Sequence, residues 1–356
     1  MSDIVQRFED WWNHDNHGLP LMRVVARRDD YTGVRPKAPD DIAGRYTDFD
    51  YLAASGRYGI ESSVFLADSF PSVSANFGPG SLALYLGAQP VFSPSTVWFE
   101  PCIDDPVSYP DIRYDPDNVW WKRHLELIRR LSGTGMRIDI PDIVENIDIY
   151  AAMRGPQDTL YDIMDCPERV LELINQIDDT YFIYYDRMRE LVRDEDDVVS
   201  YTAFAVLGRG RVAKVQCDIS AMLSPDQYRT FVLPGLKRQT ERLDHSVYHL
   251  DGPDAIRHVP AIMELDRLDA LQFTCGSGKP DGACPQWYGI YDQVSAAGKS
   301  LWIQIYDGGV DDWIRGADSL IERYGKKSLY LIFPGMSLNE ADKLMNYACR
   351  NWESGN

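Results

Sequence analysis

The stretch Tyr248-His249-Leu250-Asp251-Gly252-Pro253 holds the residues best suited to chemistry. An imidazole and a carboxylate stand two positions apart, and on an extended backbone side chains at that spacing project to one face. The stretch closes the apolar, β-branched run Ser246, Val247, Tyr248 and opens a helical pattern over 255–265. A His/Asp pair at the carboxyl end of a strand, just before a helix, can handle a proton or bind a divalent cation, and parallel barrels carry their active sites at that junction. Asp218 ends another apolar run, 212–219, and either joins the pair or serves only the local structure. Glu145, in the cluster Glu145-Asn146-Ile147-Asp148, follows an apolar segment and precedes a helix. It is a further ligand or proton carrier in one reading and a helix cap in the other.

The elements that must position these groups alternate clearly in the second half. Runs at 201–207, 212–219, 246–250, 270–275, 301–306 and 329–333 read as strands, and 225–243, 253–265, 286–297, 310–324 and 338–352 as helices. Short apolar strands separated by helices imply a parallel sheet with right-handed crossovers. In the first half, 21–26 and 62–66 read as strands, and 116–131 and 157–193 as helices, the latter broken near Cys166-Pro167. Residues 67–115 are rich in proline, glycine and aromatics, which suits a lid-like insertion. The expectation is an α/β chain folded as one barrel-sized domain over 1–356, with 1–20 as an N-terminal extension.

Composition narrows the partners. The chain has 356 residues, 44% of them hydrophobic, and a net charge of -19; its isoelectric point is near 4.7. That field repels nucleic acid and anionic membranes. No run of 18 apolar residues is present to span a membrane, and the start of the chain is acidic and polar rather than signal-like. Six cysteines without a CxxC pattern read as reduced thiols, consistent with a cytoplasmic location. Trp98 and Trp287, in or beside loops at strand ends, are candidates to wall a pocket for a large flat ligand, core packing being the alternative. The turn Asn76-Phe77-Gly78-Pro79-Gly80 lacks the lysine and spacing of a phosphate loop, and Asn76 is kept as a cofactor-side candidate.

The run Cys217-Asp218-Ile219-Ser220-Ala221-Met222-Leu223-Ser224-Pro225-Asp226-Gln227-Tyr228, followed by Phe231-Val232-Leu233-Pro234, resembles the uroporphyrinogen decarboxylase superfamily, with its acidic strand end, Leu-Ser-Pro, aromatic and Phe-x-x-Pro helix. His249-Leu250-Asp251-Gly252 is similar to that superfamily's next strand end, and Leu331-Ile332-Phe333-Pro334-Gly335-Met336 to its last barrel strand. The resemblance covers roughly residues 130–350. It implies a (β/α)8 TIM barrel with a deep site at the carboxyl ends of the strands, and two chemistries.

One is methyl transfer between a small substrate and a corrinoid carried by a partner protein, with zinc or another divalent metal. The thiol-methylating branch shows His-x-Cys and Pro-Gly-Cys at the two strand ends; here Asp251 and Met336 stand in the cysteine positions. A thioether is a poor zinc ligand, so the resemblance implies a harder site built on His249 and Asp251, completed by Asp218, Glu145 or water. The other chemistry is cofactor-free decarboxylation of a tetrapyrrole, for which Met22-Arg23 followed by Arg27 matches the family's substrate-holding arginines and Asp68 its catalytic aspartate. A non-catalytic binding protein on the same scaffold is the third alternative. Expected partners are a small-molecule substrate, a corrinoid protein and a second copy of the chain as a homodimer.

Overall fold

The computed structural model describes residues 2–201 and 203–353. In chain order the strands are β1 (Leu21–Arg27), β2 (Ser63–Ala67), β3 (Val73–Ser74), β4 (Gln89–Phe92), β5 (Val97–Glu100), β6 (Ile138–Asp139), β7 (Val198–Tyr201), β8 (Val206–Arg209), β9 (Val212–Gln216), β10 (His245–Asp251), β11 (Ala270–Thr274), β12 (Ser300–Gln304) and β13 (Leu329–Ile332). The fold is a mixed α/β arrangement around a seven-stranded sheet in the order β2-β1-β13-β12-β11-β10-β9. From β9 to β13 consecutive strands are parallel neighbours with helical segments between them, and β13 pairs in parallel with β1. β2 is antiparallel to β1 at the edge. β3 pairs in parallel with β6, and a single bridge joins Ile140 to Tyr201. Among the described residues the ladders do not run continuously around a closed cylinder.

The strands are short and apolar because both faces are covered. Val212, Ala213, Val215, Val247, Leu250, Leu271, Leu301, Leu329 and Leu331 are all buried. Helix Val310–Tyr324 coincides with its expected span, and Leu338–Asn351 nearly so, opened by a Ser337/Glu340 capping box.

Elsewhere the backbone departs from the sequence pattern for local reasons. The expected strand 201–207 is a hairpin, β7 antiparallel to β8, because Ala203 and Ala205 both adopt positive φ between them. The expected helix 225–243 is two helices, Pro225–Phe231 and Leu233–Thr240, interrupted where Pro234 enters the second first turn. The segment 253–265 winds as a 3-10 turn, Pro253–His258, and then one short helix, Val259–Ile262, with Pro260 at its start. The N-terminal segment is more than an appendage. Helix Ser2–Trp12 buries Val5, Phe8, Trp11 and Trp12. The two indoles donate to Ser328 O and Leu207 O at 3.1 and 2.8 Å, so the helix covers the amino ends of the strands, opposite the candidate chemistry. The 67–115 region contains the β4–β5 hairpin, whose Trp98 remains exposed.

Candidate metal centre

His249 and Asp251 lie at the carboxyl end of β10, and Asp218 opens a 3-10 turn, Asp218–Met222, separated from β9 only by Cys217. Adjacent parallel strands ending at one level bring the three together. Each offers a ligand atom, and these atoms lie within 4.8 Å of one another. Asp218 and Asp251 are exposed and His249 is half-buried, so the cluster opens to solvent. No other such group occurs among the described residues.

The imidazole is held by the strand register. Gln216, His249, Gln272, Trp302 and Tyr330 are successive register partners on β9 to β13, one rung across five strands. The Gln272 side-chain oxygen accepts from Nδ1 of His249, while the Gln272 amide nitrogen donates to Thr274 Oγ1 at 3.2 Å. That amide orientation assigns the proton to Nδ1 and leaves Nε2 with a free lone pair. Phe204, from the β7–β8 turn, packs on the ring at 5.5 Å between centroids, and its carbonyl accepts from Trp302 Nε1 at 2.9 Å. The ring is thus oriented from two sides.

Beneath the cluster lies a buried polar floor. Lys214 Nζ pairs with Asp142 at 2.7 Å, both nearly inaccessible, and also donates to the side-chain oxygen of Gln216. Asp148 accepts the backbone N–H groups of Asp218 and Ile219 at 2.7 and 3.0 Å and the Gln216 amide at 3.0 Å. Glu145 accepts the Gln216 N–H at 2.8 Å through one oxygen, and its other oxygen is buried with no protein partner. Asn146, with φ of 54°, turns the chain there and donates to Gln216 O at 2.8 Å. These contacts fix the end of β9 and hence the position of Asp218.

Electrostatics at the centre follow from that crowding. Burial and then the adjacent Asp148 push the Asp218 carboxyl up to about 8, with Asp251 and Asp142 adding to the rise and Lys214 opposing it. Its outer edge meets solvent although protein encloses it on most sides. Burial, then the Lys214 ammonium, hold His249 below the ordinary imidazole value, so the ring is neutral at pH 7. Burial drives the Glu145 carboxyl well above its usual range. A neutral imidazole beside the Asp218 carboxyl, which resists ionising without a positive partner, is an arrangement a divalent cation would relieve.

A cleft of about 500 Å3 opens beside Asp218. Trp98, Phe99, Val97, Pro101, Ile149 and Met222 supply its apolar walls, and Asp148, Gln216 and Asp218 its polar end. Two glycines let the β5 wall close in. A Cβ on Gly78 (φ 93°) would stand 2.6 Å from Val97 Cβ, and one on Gly80 (φ 86°) 3.2 Å from the Phe99 ring.

The other expected residues are spread out. Glu145 supports β9 from below rather than joining the three ligands. Trp98 lines the cleft, but Trp287 is buried against Phe273 and donates to Pro280 O at 3.2 Å, within the core. Asn76 follows β3 and does not line the cleft. Asp68 is buried, accepts from both Nε and a terminal nitrogen of Arg7, and takes the Met22 N–H at 2.9 Å. Arg27 is exposed at the end of β1 and Arg23 half-buried four residues earlier. His245 stacks on Trp12 and pairs with Glu9; His258 stacks on Tyr228 and bonds Ser220 O; both are structural. All six cysteines are free, and burial pushes the Cys275 thiol up to about 12. Met336 is buried, its backbone bonded to β1.

Sequence reasoning missed Lys214, Gln216 and Gln272. Their signal was the alternation itself: Lys214 and Gln216 share one face of β9, four and two residues before Asp218, as Gln272 and Thr274 share one face of β11.

No protein-family model matches the chain, and no curated protein matches it. Among solved structures the chain is similar to one described as macrophomate synthase, at 12% identity over 64% of this chain and 79% of that one, with a TM-score of 0.20. A superposition that loose carries no argument. No helix among the described residues is long and apolar enough to cross a membrane.

Proposed function

We propose that the protein is a metal-assisted (β/α)8 enzyme that transfers a methyl group between a small substrate and a corrinoid carried by a partner protein. The observation that carries the metal reading is the convergence of Asp218, His249 and Asp251 at the ends of neighbouring parallel strands, with His249 Nδ1 already engaged. Two carboxylates and one imidazole suit a hard or borderline divalent cation and leave positions for water or substrate. When bound, such a cation supplies Lewis-acid polarisation of a substrate atom. The chain's own residues do the rest. Gln272 fixes the ring, Asp148 anchors the turn that carries Asp218, and the cleft excludes water from one side of the substrate.

The barrel reading is supported by β3, β6 and β7, which run parallel to one another through the Val73–Ile138 ladder and the Ile140–Tyr201 bridge. The choice of methyl transfer rests on the resemblance at 217–234 and 249–252. Decarboxylation is the lesser reading, because Asp68 is already committed to Arg7. The test is turnover. Metal-loaded protein should move methyl groups to or from a corrinoid, and His249→Ala should abolish this. Enzymatic conversion of uroporphyrinogen III to coproporphyrinogen would refute the assignment.

A further inference from the structure

Resting on that reading, we infer that the cleft beside the metal centre binds an organic monocation of the quaternary-ammonium kind. The inference starts from which charges are matched. Asp142 has Lys214. A divalent cation would match Asp218 and Asp251. Asp148 then remains: its oxygens accept N–H groups, which orient the carboxylate without cancelling its charge. Among the described residues lining the cleft there is no Lys, Arg or His. An anionic substrate would therefore meet an uncompensated carboxylate, and a neutral one would gain nothing from it.

The walls add a second, independent preference. Trp98, which is 65% exposed, and Phe99 both line the cleft from β5, and Met222 lines it too. An indole left open to water on a pocket wall offers its negative face to a cation. A quaternary ammonium is weakly hydrated and bulky, and it satisfies both the aromatic wall and the acidic end. A primary ammonium would need several hydrogen-bond acceptors, and Asp148 already accepts three bonds of the roughly four a carboxylate can take. The cleft, at about 500 Å3, admits such a group with a short tail.

Choline and its neutral isostere 3,3-dimethyl-1-butanol differ only in the charged centre. Their binding to the full-length, metal-loaded protein should be measured by calorimetry, with metal content determined on the same samples. Choline should bind at least about tenfold more tightly than the isostere. Trp98→Leu should weaken choline binding about fivefold or more, Trp98→Phe should fall between, and neither should change metal stoichiometry. Equal or tighter binding of the isostere, indifference to Trp98→Leu, or no choline binding up to saturation would each overturn the inference. Metal binding with no choline binding leaves the metal centre standing, whereas choline binding without metal removes the metal reading and keeps the cation cleft.

Discussion

Gln272 accepts the Nδ1 proton of His249 across adjacent strands, and so decides which imidazole nitrogen keeps its lone pair beside Asp218 and Asp251. The bond spans register partners, so the β10–β11 ladder itself sets the tautomer. Gln272→Leu should lower metal affinity about 10–100-fold while leaving the fold intact. Titration calorimetry checks this, and unchanged affinity would mean the ring needs no such partner.

Asp218 should make metal uptake pH-dependent. With its carboxyl pushed up to about 8, the metal-free protein carries a proton there at neutral pH, which the cation must displace. Affinity should rise as pH climbs towards 8 and then level. Calorimetry in buffers of different ionisation enthalpy should detect proton release, absent in Asp218→Asn.

The same group affects stability with a definite sign. A carboxyl raised in the folded state contributes stability that is present at low pH and lost as pH rises from the unfolded value through about 8. Solvent at its outer edge screens the effect, so it is modest. Metal-free Asp218→Asn should melt roughly 1–3 °C above the parent at pH 8 and alongside it at pH 4. Thermal melts at both pH values would reveal a reversed order.

Lys214 lies beneath the cluster as the counter-charge to Asp142. Lys214→Met leaves a buried carboxylate uncompensated and should cost about 3–5 kcal/mol in denaturant unfolding. Adding Asp142→Asn should recover part of that loss, because the stranded charge is gone. A double variant no more stable than the single would place the cost in packing instead.

Arg7 and Asp68 join the N-terminal helix to the start of the sheet. Asp68→Asn should destabilise the chain by about 1–3 kcal/mol without altering metal affinity. If it instead left stability untouched and removed activity on a tetrapyrrole, the decarboxylase assignment would gain the ground.

Legibility in the sequence followed locality. The strand–helix alternation of the second half and the shared face of His249 and Asp251 are set by neighbouring residues and could be read directly. The partner of Lys214 lies 72 residues away in the loop after β6, so only the fold identifies it. The β7–β8 hairpin hides because its positive-φ residues are alanines, which carry no turn signal. Trp287 looks like a pocket wall by position, yet its indole finds a carbonyl and a phenyl ring inside the core. The N-terminal helix did leave a trace, the helical spacing of Val5, Phe8 and Trp12, which the acidic residues between them mask.

The most direct test is metal stoichiometry on purified protein after loading and exhaustive washing, by elemental analysis and calorimetry together. The account predicts one equivalent of divalent cation in the parent chain, with affinity falling at least about tenfold in Asp218→Asn, His249→Ala and Asp251→Asn alike. A parent that retains no cation, or variants that hold it as tightly as the parent, would contradict it.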